Sequence, residues 1–192
     1  DAGFRRDIAV QMRSALLELS PRARWTDKAR HAASVLKSFT VSVDPSGTWS
    51  AGLGVQAAEG FADHDDLALD LTDLFLAVGE AAKEHEKGVV LLLDEVQFLK
   101  PSQLEALIQA LHKMVQRSLP ITMVAAGLPQ IAELAGDAKS YAERLFKFPH
   151  LGNLSPEDAK EALLRPAAEE GVTYAEDALD AAVAITGGYP YF

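Results

Sequence analysis

Two adjacent carboxylates, Asp94 and Glu95, stand at the end of Gly88-Val-Val-Leu-Leu-Leu and are the side chains best spaced for chemistry in this 192-residue chain. The apolar run before them reads as a strand covered on both faces, as central parallel strands are. Both acids then sit at its carboxyl edge, where open α/β sheets bind ligands. Mg²⁺ takes oxygen ligands and keeps several waters, so one aspartate there can orient a hydrated ion beside a triphosphate. The neighbouring glutamate points differently and can polarise a water for attack on a γ-phosphate. The plainer reading of the same residues is a strand that leaves a core and meets soluble, acidic sequence.

Other candidates carry less. Asp63-His64-Asp65-Asp66 has metal-ligand residue types, but adjacent side chains in a loop rarely converge on one ion. A helix N-terminus capped by Asp65 or Asp66 is the favoured reading. Ser140 and Ser155 sit in capping contexts, so no nucleophile has a credible base, and Trp25 and Trp49 read as packing residues.

The elements that must position the two acids follow from hydrophobic period. Helices are predicted over residues 8–19, 26–36 with Thr26 as N-cap, 67–86, and 101–117 with Pro101 at N1. Phe39-Thr-Val-Ser-Val43 alternates apolar and polar residues, and Asp44-Pro-Ser-Gly47 supplies turn chemistry before Thr48-Trp49 and Leu53-Gly-Val55. That stretch predicts a hairpin or extended excursion. Strands are expected at 89–93 and 121–126, with a last short strand at Phe146-Lys-Phe148. Short helices are expected at 129–134 and 140–145. After Pro149 the character turns helical: Ser155-Pro156-Glu157-Asp158 starts one helix, to about residue 168, and another spans 174–185. The expected organisation is an α/β region over 1–150 and a helical region over 151–192.

In this context the stretch from Gly88 to Phe192 resembles prokaryotic AAA+ P-loop ATPases of the ORC/STAND-like branch. The matching pieces are Val89-Val-Leu-Leu-Leu-Asp-Glu-Val-Gln97 as Walker B, Ala125-Ala-Gly-Leu-Pro129 after the sensor 1 strand, Tyr141-Ala-Glu-Arg144-Leu-Phe, and Thr186-Gly-Gly-Tyr-Pro190-Tyr-Phe192 near the Gly-x-Pro element of the lid. The resemblance implies a three-layer α/β P-loop NTPase core that lacks its first strand and P-loop, followed by the start of a helical lid. It implies ATP and Mg²⁺ as ligands, Asp94 holding the ion, and Glu95 orienting the attacking water. Arg144 is either an arginine that reaches a neighbouring subunit's γ-phosphate or a surface residue. Gly188, Tyr189 and Pro190 either approach the adenine or simply cap a helix, and the two are compatible. For Arg165, a helix irregularity at Arg165-Pro166 is favoured over a sensor role.

Two departures bear on that resemblance. Val124-Ala-Ala-Gly127 offers no polar sensor side chain, and Thr122 stands too early. No Gly-x-x-x-x-Gly-Lys-Ser/Thr occurs in the sequence, a pattern that phosphate cradling by backbone N–H groups requires. The resemblance places a P-loop upstream of residue 1, so the chain is read as an internal piece of a longer ATPase, itself inactive in hydrolysis. The alternatives are a non-catalytic interaction module with a degenerate ATPase fold and a DNA-associated ORC-like ATPase.

Composition bounds these readings. Without cysteine, disulfide scaffolds and cysteine-based zinc sites are excluded. The longest apolar run is far short of the roughly 18–20 residues of a membrane span. No signal-peptide pattern follows Arg5-Arg6, and the expected location is cytoplasmic. The formal charge of −10 is uneven: residues 1–40 hold eight basic against four acidic groups, while 41–192 hold ten against 24. Nucleic-acid binding normally needs a strong basic face, so it is not favoured, and the expected partners are nucleotide and a protein partner or a second copy.

Overall fold

The computed structural model describes residues 2–41, 43–44, 46–128, 142 and 144–190. Its elements are α1 (Ala2–Leu19), α2 (Asp27–Val41), α3 (Leu67–Glu84), β1 (Val89–Leu93), α4 (Pro101–Gln116), β2 (Ile121–Ala125), α5 (Pro156–Glu169) and α6 (Glu176–Thr186). The described chain is mixed α/β and mostly helical, with one two-stranded parallel sheet. It divides into two compact units, residues 1–147 and 148–192.

In the first unit α3 packs against α2 and α4, and α1 packs against α2. The core draws Met12 and Leu16 from α1, Val35, Leu36 and Phe39 from α2, Leu71, Leu74 and Phe75 from α3, and Leu107 and Met114 from α4. Local chemistry sets the helix starts. Thr26 Oγ1 accepts the Ala29 N–H at 3.2 Å, Asp66 Oδ1 accepts the Leu69 N–H at 2.9 Å, and Pro101 opens α4. At the far end of α1, Lys87 Nζ donates to the carbonyls of Glu18 and Leu19 at 3.0 and 2.9 Å, where a helix leaves carbonyls unpaired. Gly79 lets α3 approach the chain entering β2, since a Cβ there would lie 3.1 Å from Leu119 Cβ. Trp25 is buried with its indole N–H donated to the Ser20 carbonyl at 2.8 Å, and Trp49 packs on the core.

The structure corrects three of the expected secondary-structure elements. Phe39 and Thr40 belong to α2, which runs on to Val41, because Phe39 extends the stripe of Ala32, Val35 and Leu36 and is fully buried. The 48–55 stretch forms turns rather than a hairpin. Asp44 organises it, accepting the Ser46 hydroxyl and the Trp49 N–H, with the second bond at 2.7 Å. Phe146-Lys-Phe148 is irregular, and Phe146 closes a turn on Ala142 through a 2.9 Å backbone bond. The helix expected at 129–134 lies outside the described residues; of the one expected at 140–145, residues 142, 144 and 145 are described, and they are helical.

β1 and β2 pair in parallel, from Val89 opposite Ile121 to Leu93 opposite Ala125. Val89, Leu91 and Ile121 face the core, whereas Val90, Leu92 and Val124 are exposed, Leu92 by 77%. The strand expected to be covered on both faces is therefore covered on one. An apolar run reports that a strand is apolar, and the elements that pack on it decide how many of its faces are dry.

In the second unit Ser155 caps α5, its Oγ accepting the Asp158 N–H at 3.1 Å, and α6 ends at Gly187 in the left-handed conformation. Among the described residues, no helix is long and apolar enough to cross a membrane.

Candidate functional site

Asp94 and Glu95 stand at the carboxyl end of β1, and both are exposed. The β1–β2 ladder continues past the strands: the Ala126 N–H donates to the Leu93 carbonyl at 2.8 Å, and the Val96 N–H donates to the Ala126 carbonyl at 3.1 Å. Between these two bonds the chain turns through Glu95, whose φ of 54° and ψ of 43° are left-handed. A non-glycine residue pays about 1–2 kcal/mol for that conformation, and such outliers gather at functional turns. Asp94 Oδ1 accepts the Glu95 N–H at 2.9 Å, which steadies the turn.

A short 3₁₀ turn, Val96–Phe98, follows. Buried Val96 anchors it, and Gln97 extends its side chain across the strand ends. Gln97 Nε2 donates to Glu95 Oε2, and Gln97 Oε1 accepts the Leu128 N–H at 3.2 Å. Asp94, Glu95, Gln97 and the Ala126–Leu128 backbone thus form one connected edge. The sequence marked Gln97 only as part of a motif, because its second partner is 31 residues away.

As a donor set for Mg²⁺, this edge offers Asp94 as an exposed carboxylate. Among the described residues no group of three or more His, Cys, Asp or Glu side chains converges to enclose an ion. One carboxylate suits a hydrated Mg²⁺ that takes its remaining ligands from water and phosphate. The end of β2 presents Ala125, Ala126 and Gly127, without a polar side chain, and Thr122 lies opposite Val90, well back from the edge.

The other sequence candidates are not gathered around the two acids. Arg144 is exposed, in a short helical segment held to α4 by buried Ala142, which clusters with Leu104 and Ile108. Among the described residues, no hydrogen bond or ion pair joins Arg144 to Asp94 or Glu95. In the second unit Gly187 and Gly188 both have positive φ, 58° and 74°. Leu154 N–H donates to the Gly188 carbonyl at 2.9 Å and Asn153 Nδ2 to the Gly187 carbonyl at 3.0 Å. A Cβ on Gly188 would run into the Leu154 carbonyl. The helix-cap reading accounts for both glycines, while Tyr189 and Pro190 are exposed. Arg165 pairs with Glu169 across one turn of α5 at 3.6 Å, in solvent, and the helix continues through Pro166.

His64 belongs to a different cluster. Its Nε2 meets Asp73 Oδ2 at 3.0 Å, its backbone N–H donates to Asp70 Oδ1 at 2.9 Å, and Asp73 also accepts the Ala62 N–H at 3.0 Å. The hydrogen bond that His64 donates to Asp73, together with the surrounding carboxylates, raises the His64 pKa above its ordinary 6.5. Nearby, a groove of about 410 Å³ runs between α2 and α3, lined by His31, Phe61, Asp73 and Leu76 among others.

Family models, curated proteins and solved structures were all compared with the chain, and none matches it.

Proposed function

We propose that this chain is part of an AAA+ type ATPase, with residues 1–150 contributing a partial P-loop NTPase core and 151–192 the beginning of a helical lid. The complete protein binds Mg-ATP and hydrolyses the β–γ bond to drive a conformational change on a partner. The observation that carries this reading is the parallel β1–β2 pair, joined through α4, with Asp94 and Glu95 at the carboxyl end of the first strand and the Ala126–Leu128 backbone beside them. That is the edge where doubly wound sheets hold ligands.

In this reading Asp94 holds hydrated Mg²⁺, which when bound neutralises charge on the phosphates. Glu95 accepts a proton from the water that attacks the γ-phosphorus. As the new P–O bond forms, the bond to the β-phosphate oxygen breaks, and ADP leaves with that electron pair. The phosphate-cradling loop comes from outside these 192 residues, and Arg144 acts across a subunit boundary.

A second reading, a non-catalytic interaction module, is favoured by the bare apolar face of the sheet and the apolar end of β2. One experiment separates the two. The full-length protein is assayed for phosphate release from Mg-ATP beside its Glu95→Gln variant, and residues 1–192 are assayed alone. The ATPase reading expects turnover in the first and little or none in the other two. Turnover by residues 1–192 that Glu95→Gln abolishes overturns the expectation that this chain is inactive by itself, and no turnover in the full-length protein overturns the ATPase reading.

A further inference from the structure

We propose that Gln97 is a positioning residue for Glu95, fixing its carboxylate and tying it to the backbone that leaves β2. This rests on the reading of Glu95 as the group that accepts the proton of the attacking water.

The argument begins with donors and acceptors. An ionised glutamate only accepts hydrogen bonds, a backbone N–H only donates, and a primary amide does both at opposite ends. Gln97 stands between one of each: its NH₂ faces Glu95 Oε2 and its carbonyl oxygen faces the Leu128 N–H. Only one orientation of the amide satisfies both partners, so the pair of bonds defines it. A glutamate at 97 would keep the Leu128 bond and repel Glu95. A lysine would serve Glu95 and leave Leu128 without an acceptor.

The geometry gives this bridge leverage. Glu95 is exposed and has three rotatable side-chain bonds, so its carboxylate would otherwise sample many positions. The backbone on either side is pinned, by Ala126 to Leu93 and by Val96 to Ala126. The charge-assisted bond from Gln97 removes the remaining side-chain freedom. A general base displaced by about 1 Å can lose on the order of 100-fold in rate. The same amide makes the orientation of Glu95 depend on where the chain stands at Leu128. A movement of that backbone is thereby transmitted to the reacting carboxylate without any polar side chain at the end of β2.

The test uses two preparations. In the full-length protein, with Mg-ATP, Gln97→Met is expected to lower kcat by about 10- to 100-fold with little change in KM. Gln97→Glu, which keeps the acceptor for Leu128 but repels the Glu95 carboxylate, is expected to lower kcat at least as far. In the 192-residue chain, Glu95→Gln is expected to move the NMR resonances of both the Leu128 amide and the Gln97 side-chain amide. The Leu128 amide should exchange faster in Gln97→Met but stay protected in Gln97→Glu. Unchanged kcat in both variants, or Leu128 and Gln97 amide resonances that Glu95→Gln leaves in place, overturns the proposal. Retained hydrolysis in Glu95→Gln is a separate result: it overturns the catalytic reading of Glu95 even where the NMR coupling holds.

Discussion

Arg5 of α1 and Asp70 of α3 meet at 2.5 Å inside the core, with both side chains almost wholly removed from solvent. Arg5 also donates to the Phe39 carbonyl of α2 at 3.4 Å and lies 4.8 Å over the Phe39 ring. Asp70 uses its other oxygen for the His64 N–H. One ion pair therefore joins three helices and the loop before α3. Removing one member of a buried pair leaves a charge without compensation and typically costs about 3–5 kcal/mol. Arg5→Met is expected to destabilise the protein by that order in urea unfolding. The double variant Arg5→Met, Asp70→Leu is expected to lose clearly less than the sum of the singles. Additive losses would show that the two groups do not act as a pair.

The His64–Asp73 contact sets a pH dependence whose sign is fixed. Its folded pKa lies above the ordinary 6.5, chiefly through the Asp73 hydrogen bond, with Asp70 and Asp63 adding to the attraction and burial opposing it. The charged imidazolium thus favours the folded state. That contribution is fully present below the unfolded pKa and is lost as pH rises through the folded one. The difference in urea midpoint between the parent and His64→Gln is expected to be largest below about pH 6 and to shrink above the folded pKa. An imidazole that titrates by NMR at or below 6.5 sinks this expectation.

Gly187 and Gly188 separate two costs that are usually confounded. Both have positive φ, but a Cβ on Gly187 meets open space, while one on Gly188 meets the Leu154 carbonyl. Gly187→Ala is expected to cost about 1 kcal/mol, the left-handed penalty alone. Gly188→Ala is expected to cost more, through that penalty and a backbone displacement at Leu154. Amide exchange in α6 provides the measurement, and equal effects of the two substitutions would falsify the close-approach argument.

The sequence by itself determined the features whose physics is local. Thr26, Asp66 and Ser155 cap helices because a short side-chain oxygen needs only the N–H two or three residues ahead. Pro101 starts α4 because its missing N–H costs nothing there. Val89–Leu93 and Ile121–Ala125 are strands because each is a short apolar run with punctuation at its ends. The placement of Asp94 and Glu95 after the first strand follows directly.

Tertiary structure decided the rest. Five alternating residues from Phe39 fit a strand as well as part of a helix, and the core's demand for Phe39 beside Leu36 chose the helix. An apolar strand reads alike with one face dry or two, so the exposure of Leu92 depended on what packs against the sheet. The partners of Gln97 and Arg5 are 31 and 65 residues distant. No spacing rule brings them together, because the fold makes those contacts by closing α4 and α3 onto the sheet and α1.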